Sequence, residues 1–350
     1  MKCHLGGAVR LAIRVTLAAI LTLGLTAGNR PAHAQDSEWD KVVAAGKKEG
    51  RVVIYNSANG AGYFTNVLRS FEQKYGITVD SLDLRASELT ERIRAEQVAG
   101  RYLGDLELHS TSTIEQQIID GPFVEPVGRV PNMANLREEL PATEMYVPAW
   151  IQAYGVLVNT RLVRPEDEPK AWTDLLDPKW KGKILADDVR PLGGGQTMFF
   201  VLQKTYGTPF HEKLAAQDLV FSRDLRNDAR RVARGEYPLY LPQMAAMASD
   251  LKGLPVKVLI MKEGVPYVPI NFAQLKNAPH PNAARLFINH FLETESQLQY
   301  ANAWMTPVVK GLVDKANPDA RPYVEPKLLG MVIRDERAAM MELAKKIYTK

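Results

Sequence analysis

The chain carries a single cysteine in 350 residues, and that one is Cys3. It precedes the apolar run Leu17-Ala-Ala-Ile-Leu-Thr-Leu-Gly-Leu25, which follows Lys2, Arg10 and Arg14 and leads to the small residues of Ala32-His33-Ala34. That order reads as a cleaved export leader over residues 1–34. The exported chain then has no cysteine, which excludes disulfides, thiolate metal sites and cysteine nucleophiles. Cys3 also lies on the wrong side of the apolar run for a lipid anchor. Long apolar stretches are lacking as well: the leader's run is too short to span a bilayer, and none of about 20 residues follows it. Excess charge is the third absence. Lys and Arg total 44 against 40 Asp and Glu, but Lys2, Arg10, Arg14 and Arg30 belong to the leader, leaving 40 against 40. A balanced chain has no global basic field for nucleic acid or anionic lipid.

Hydrolase signatures are missing too. No Gly-x-Ser-x-Gly and no His-Glu-x-x-His occurs, so neither a nucleophile elbow nor a zinc-protease helix is spelled out. His109 stands beside Ser110, but neighbours on a strand point to opposite faces. His211, His280 and His290 show no ligand spacing. No enzyme activity, no cofactor and no nucleic-acid partner is expected. What the chain does have is the make-up of a folded protein, 46% hydrophobic with 24% charged residues. The roughly 316 residues after the leader suffice for two lobes.

Short apolar runs alternate with helical periodicity. Arg51-Val-Val-Ile-Tyr55 reads as a strand; Phe64, Val67, Leu68 and Phe71 recur at helical spacing; residues 77–84 alternate as a strand. Ser87 starts a helix to Ala99, and Asp105–His109 is a strand entering a helix to Asp120. This alternation predicts an α/β fold with a mainly parallel sheet. A second unit opens at Tyr154-Gly-Val-Leu-Val-Asn159, with strands at 183–186, 237–241 and 256–261 and helices at 196–206, 224–234 and 243–251. Val265-Pro-Tyr-Val-Pro-Ile270 is extended and Pro-punctuated, as a chain crossing back between lobes would be. A strong amphipathic helix at 281–292 and a terminal helix at 335–348, assigned to packing, complete the chain.

Several stretches together resemble the periplasmic solute-binding proteins of ABC importers, in the branch of the ferric-ion-binding proteins. They are Gly50-Arg-Val-Val-Ile-Tyr-Asn-Ser57 with Phe71-Glu-Gln-Lys-Tyr-Gly-Ile77, Ala171-Trp-Thr-Asp-Leu-Leu-Asp-Pro-Lys-Trp-Lys-Gly-Lys183, Ala278 to Tyr300, and Trp304-Met-Thr-Pro-Val-Val-Lys-Gly311. The resemblance implies a two-lobed type 2 periplasmic binding protein fold with two hinge-crossing strands. Its expected division is lobe 1 over 35–153, lobe 2 over 154–266, and a return to lobe 1 with the C-terminal helices over 267–350. It also implies a monomeric periplasmic receptor that hands a small-molecule ligand to ABC permease subunits of the inner membrane.

In such folds, ligands lie at the carboxyl ends of strands and against helix N-termini. Asn56, Ser57 and Ala58 follow the first strand, Arg85 the second, and Ser110 and Thr111 the third. Asp188-Val-Arg-Pro-Leu-Gly-Gly-Gly-Gln-Thr197 is the sharpest signal: Gly193, Gly194, Gly195 and Gln196 open a helix with bare backbone N–H groups, and Arg190 adds a cation. Tyr154 and Tyr267 flank the crossings, and Tyr240 and Gln243 join the list as cleft-lining residues. Every one of these loops also reads as an ordinary turn or cap. The set points to a small organic anion, a carboxylate or phosphonate. In ferric-binding relatives two adjacent tyrosines hold the metal; read without gaps, that place falls on Met244-Ala245, so no metal site is expected. A ferric complex bridged by an anion is the alternative ligand.

Overall fold

Alternating strands and helices build a mixed sheet in this computed structural model, which describes residues 32–56, 62–84, 86–140 and 143–349. Residues 1–31, with the leader's apolar run, lie outside the described residues, as do Ser57, Ala58 and Arg85. The strands are β1 (Arg51–Asn56), β2 (Thr78–Asp83), β3 (Leu106–Ser110), β4 (Val124–Glu125), β5 (Val147–Asn159) and β6 (Ile184–Asp187). After them come β7 (Val220–Ser222), β8 (Leu239–Met244), β9 (Val256–Leu259), β10 (Val265–Leu275), β11 (Thr306–Pro307) and β12 (Leu328–Gly330). Their main spatial order is β2-β1-β3-β10-β5-β8-β6-β7.

The expected parallel pairing is found only within the halves of this order. β1 runs parallel to β2 and β3, and β6 to β7 and β8. β10 enters between β3 and β5 antiparallel to both, and β5 meets β8 antiparallel, so the sheet is mixed. These two long strands join the lobes. The first half of β5 pairs with β10, from Val147↔Phe272 to Ala153↔Tyr267; its second half pairs with β8, from Tyr154↔Met244 to Val158↔Leu239. β10 likewise pairs with β3 over Ile270–Gln274 and with β12 at Val265–Pro266. Tyr154–Asn159, expected to open the second unit, is the second half of one 13-residue strand that begins at Val147. Pro148 is accommodated because the β5–β10 register shifts opposite Ile270/Asn271, and a proline fits a strand at such an irregularity.

Each half has its own core. The helices Gly62–Tyr75 and Pro281–Phe291 bury Phe64, Phe71, Phe287 and Phe291 around Trp150 and Tyr300. Phe272 meets the Phe291 ring edge-on at 4.8 Å. Burial of such a side chain contributes about 1.5–3 kcal/mol. On the other side, Trp172 and Trp180 pack with Met198, Phe199, Leu202 and Phe210. The segment 171–183 is thus largely structural: Asp174 Oδ2 accepts from the N–H groups of Lys170 and Ala171, and Trp172 Nε1 donates to Gly264 O at 3.0 Å. The last helix, Arg334–Ile347, brings Ala344 and the following Tyr348 into this second core, where Tyr348 Oη lies 2.9 Å from His211 Nδ1. Among the described residues no helix is long and apolar enough to cross a membrane.

Candidate ligand cleft

The crossing strands bring the ends of β3 and β6, and the helix that follows each, to one cleft of about 560 Å³. Its first wall is the start of helix Thr111–Asp120. Ser110 caps that helix in extended backbone, yet its hydroxyl makes no cap bond; Oγ lies 2.9 Å from Thr113 Oγ1 and 3.4 Å from Ser112 Oγ. The cap therefore leaves first-turn N–H groups available to another acceptor. Thr111 Oγ1 accepts from the buried Asn271 Nδ2 at 3.0 Å, which locks this wall to β10. His109 lines the floor, 3.4 Å from Thr90 Oγ1, and burial holds its imidazole neutral by lowering its pKa to about 4.

The second wall is the glycine run at the start of helix Gly194–Tyr206. Glycine is required at 195 by close approach: a Cβ there would stand 2.5 Å from Asp187 O and 2.6 Å from Asp188 O. Gly195 N–H donates to the buried carboxylate of Asp187, Oδ2, at 2.7 Å. The same oxygen lies 3.4 Å from where a Cβ on Gly193 or Gly194 would sit, so a carboxylate backs the loop. Burial pushes Asp187 above its ordinary pKa, and the Gly195 N–H offsets only part of this. Gln196 is 2% exposed and its Nε2 has no hydrogen-bond partner. Thr197 Oγ1 donates to Gly193 O at 3.1 Å.

Between the walls stand Tyr267, Gln152 and Tyr154, whose hydroxyl donates to Gln152 Oε1 at 3.4 Å. Arg337 closes the rim from the terminal helix and has no ion-pair partner among the described residues. A side chamber of about 200 Å³ shares Gln152, Tyr154, Gly194 and Leu225 with the cleft and adds Tyr240, Pro242, Gln243, Met244 and Met247. Burial, together with the charge of Asp187, raises the phenols of Tyr154 and Tyr240 well above their ordinary pKa.

Of the residues expected at a site, Ser110, Thr111, Tyr154, Gly193, Gly194, Gln196 and Tyr267 share the cleft, and Tyr240 and Gln243 wall the side chamber. Three others have different surroundings. Arg190 does not line the cleft; Asp188 grips its guanidinium at 2.8 and 3.0 Å, and Phe221 lies beneath it at 5.2 Å. Burial opposes ionisation of Asp188, but the Arg190 pair more than offsets it and holds that carboxyl below its ordinary pKa. Asn56 is fully buried and donates to Asp83 Oδ1 at 2.8 Å, fastening β1 to β2. Gly195 is spent on Asp187. Tyr237 lies ahead of β8 rather than on it, with its ring 5.0 Å from the Arg231 guanidinium.

Gln152, Leu225 and Arg337 are lining residues that sequence reasoning misses. Gln152 carries a legible signal: a polar residue in an apolar strand, two places before Tyr154 and so on the same face. Arg337 carries none, because the terminal helix reads as packing alone.

The sequence profile described as bacterial extracellular solute-binding protein matches residues 108–330. An uncharacterised Haemophilus influenzae protein is 24% identical over 275 residues, 73% of this chain and 77% of that one. Among solved structures, a Trichodesmium protein in complex with iron and citrate superposes with a TM-score of 0.71 at 18% identity, covering 86% of this chain and all of that one (100%). The Campylobacter jejuni ferric binding protein gives 0.68 at 16% identity, with 85% and 98% covered. AfuA of Actinobacillus pleuropneumoniae, solved with fructose-6-phosphate, gives 0.63 at 20%, with 86% and 99% covered. A match of that extent, on a two-lobed sheet with two crossing strands, makes this chain a member of the bacterial extracellular solute-binding proteins, with the fold of the periplasmic ferric-binding proteins.

Proposed function

We propose that the protein is the periplasmic, monomeric receptor of an ABC importer, that it captures a small organic anion of the carboxylate or phosphonate type between its lobes, and that it delivers this ligand to inner-membrane permease subunits. The observation that carries the reading is one cleft in which the helix start Ser110–Thr113, with no side-chain cap bond, faces the glycine run Gly193–Gly194, with the Arg337 side chain at the rim. Helix N-termini present N–H donors and a favourable dipole to an anion. Hydrogen bonds to a charged group are worth roughly 1.5–3 kcal/mol each, so three or four supply about 4.5–12 kcal/mol toward the cost of association, and burial of the ligand's apolar part adds the remainder. Export follows from the leader, with the mature chain starting at Gln35.

Mass spectrometry of small molecules released from the purified protein by mild denaturation tests the reading. An anion is expected; a neutral or cationic ligand would overturn it. An intact mass that retains residues 1–34 after export would refute the processing.

A second reading, a ferric complex, has the support of one fold neighbour solved with iron and citrate and another named a ferric binding protein. The phenols that reach the cleft and chamber are Tyr154, Tyr240 and Tyr267, while Met244 begins the pair that stands in place of the family's two tyrosines. Titration with ferric citrate separates the readings: a phenolate charge-transfer band lost in Tyr240→Phe would establish iron.

A further inference from the structure

We infer that the ligand is a monoanion with a short, uncharged, hydroxyl-bearing tail: its anionic head lies at Ser110–Thr113 and Arg337, and its tail fills the side chamber between Tyr154 and Met247. The inference rests on the anion reading above and adds which end is charged and what the other end carries. The two walls of the cleft are not equivalent. Arg334 Nη1 donates to Glu115 O of helix Thr111–Asp120, and Glu336 pairs with Lys204 of helix Gly194–Tyr206. The start of the terminal helix thus spans both walls and sets the cationic Arg337 at the rim between them, within reach of a head placed at Ser110–Thr113. The opposite helix start is already occupied by a carboxylate, because Asp187 takes the Gly195 N–H and stands directly behind Gly193 and Gly194. A second negative charge placed on that side meets Asp187 across the loop, at close range and away from bulk water, where like charges repel strongly. Asp187 thus disfavours dianions.

The chamber's walls describe the tail. Leu225, Pro242, Met244 and Met247 offer apolar and thioether surface, and sulfur-bearing side chains adapt readily to an alkyl chain. Tyr240 and Gln243 are each 1% exposed, and the Tyr240 hydroxyl and Gln243 Oε1 have no hydrogen-bond partner. Gln243 spends its Nε2 on Met244 O. One atom left over is a donor and the other accepts only. A hydroxyl does both, whereas a carboxylate would face Gln243 Oε1 with no hydrogen to give. At about 30 Å³ per water-sized group, some 200 Å³ holds about six non-hydrogen atoms.

Calorimetric titration of the ligand-stripped mature protein at about pH 6, where phosphate and phosphonate heads carry a single charge, with inorganic phosphate, methylphosphonate, butylphosphonate, 4-hydroxybutylphosphonate and 3-phosphonopropanoate tests this. Butylphosphonate is expected to bind at least about tenfold more tightly than methylphosphonate, since burial of each CH₂ adds to affinity. The hydroxyl-ended probe should bind more tightly still. The carboxylate-ended probe should bind at least about tenfold more weakly than butylphosphonate, and Asp187→Asn, which keeps an acceptor for Gly195 N–H, should narrow that gap. Met247→Trp should erase the alkyl gain, so that butylphosphonate and methylphosphonate bind alike, its unliganded melting temperature reporting on folding. No gain from the tail, or equal binding of the carboxylate-ended probe, overturns the inference and leaves the anion reading standing. Failure of every probe at millimolar concentration, phosphate included, overturns the inference, and the anion reading falls with it if the ligand released from the purified protein is neutral or cationic.

Discussion

Replacing Glu107 by Gln should stabilise the protein, and by an amount that grows with pH. Glu107 lies on β3 with no solvent exposure, between Tyr55 on β1 and Ala273 on β10. Burial raises its pKa to about 8 from an ordinary 4.5, outweighing the lowering by the Gln117 amide. The folded state therefore keeps a proton that the unfolded chain releases above about pH 4.5. Stability falls as pH rises through that window and levels off above about 8. At 1.36 kcal/mol per pH unit, the penalty is about 3 kcal/mol at pH 7 and about 5 kcal/mol at pH 9. Gln is nearly isosteric and carries no charge, so the variant escapes both penalties apart from the cost of its own buried amide, about 1 kcal/mol. On the acid side His109 and His211 stay neutral to about 4 in the fold because of burial. Protons taken up by the unfolded chain below 6.5 then cost each site up to about 3 kcal/mol as pH falls toward 4, in both proteins. Urea unfolding of wild type and Glu107→Gln at pH 5, 7 and 9 measures the difference. A gap that does not widen from pH 5 to pH 9 would show that Glu107 is not a buried, neutral acid, and the argument fails.

Gly195→Ala should cost about 2–4 kcal/mol in the same assay, since its Cβ would run into the Asp187 and Asp188 carbonyl oxygens, and backbone cannot yield as a side chain does. Arg190→Ala should lower stability by about 1 kcal/mol through loss of the Asp188 pair and the Phe221 contact, while affinity for the ligand that co-purifies stays within about threefold. A loss of tenfold or more would return Arg190 to the site. Arg337→Gln should weaken the same ligand by about tenfold and flatten the dependence of affinity on salt, with little change in melting temperature; unchanged affinity would remove Arg337 from recognition.

The elements that sequence reasoning finds are those whose pattern is local. Phe64, Val67 and Phe71 recur at the helical period because one face of that helix meets the core, and Phe287 and Phe291 do the same opposite them. The crossing role of Val265–Ile270 is legible because proline limits what the backbone can do there. What escapes is anything decided by a second layer or a distant segment. Leu106-Glu-Leu-His109 alternates as a half-exposed strand would, yet helices cover both faces of this part of the sheet, so the polar positions are as buried as the apolar ones. Arg190 reads as a ligand group because it opens a glycine-rich loop, but its answering charge was two residues away in Asp188, near enough to satisfy it before any ligand arrives. Asp187 shows the same limit from the other side. Nothing local tells a carboxylate at a strand end to cap the helix seven residues on, and that one bond decides which helix start remains open to an anion. Recognition in this cleft is therefore set less by the glycines themselves than by which of their N–H groups the protein has already used.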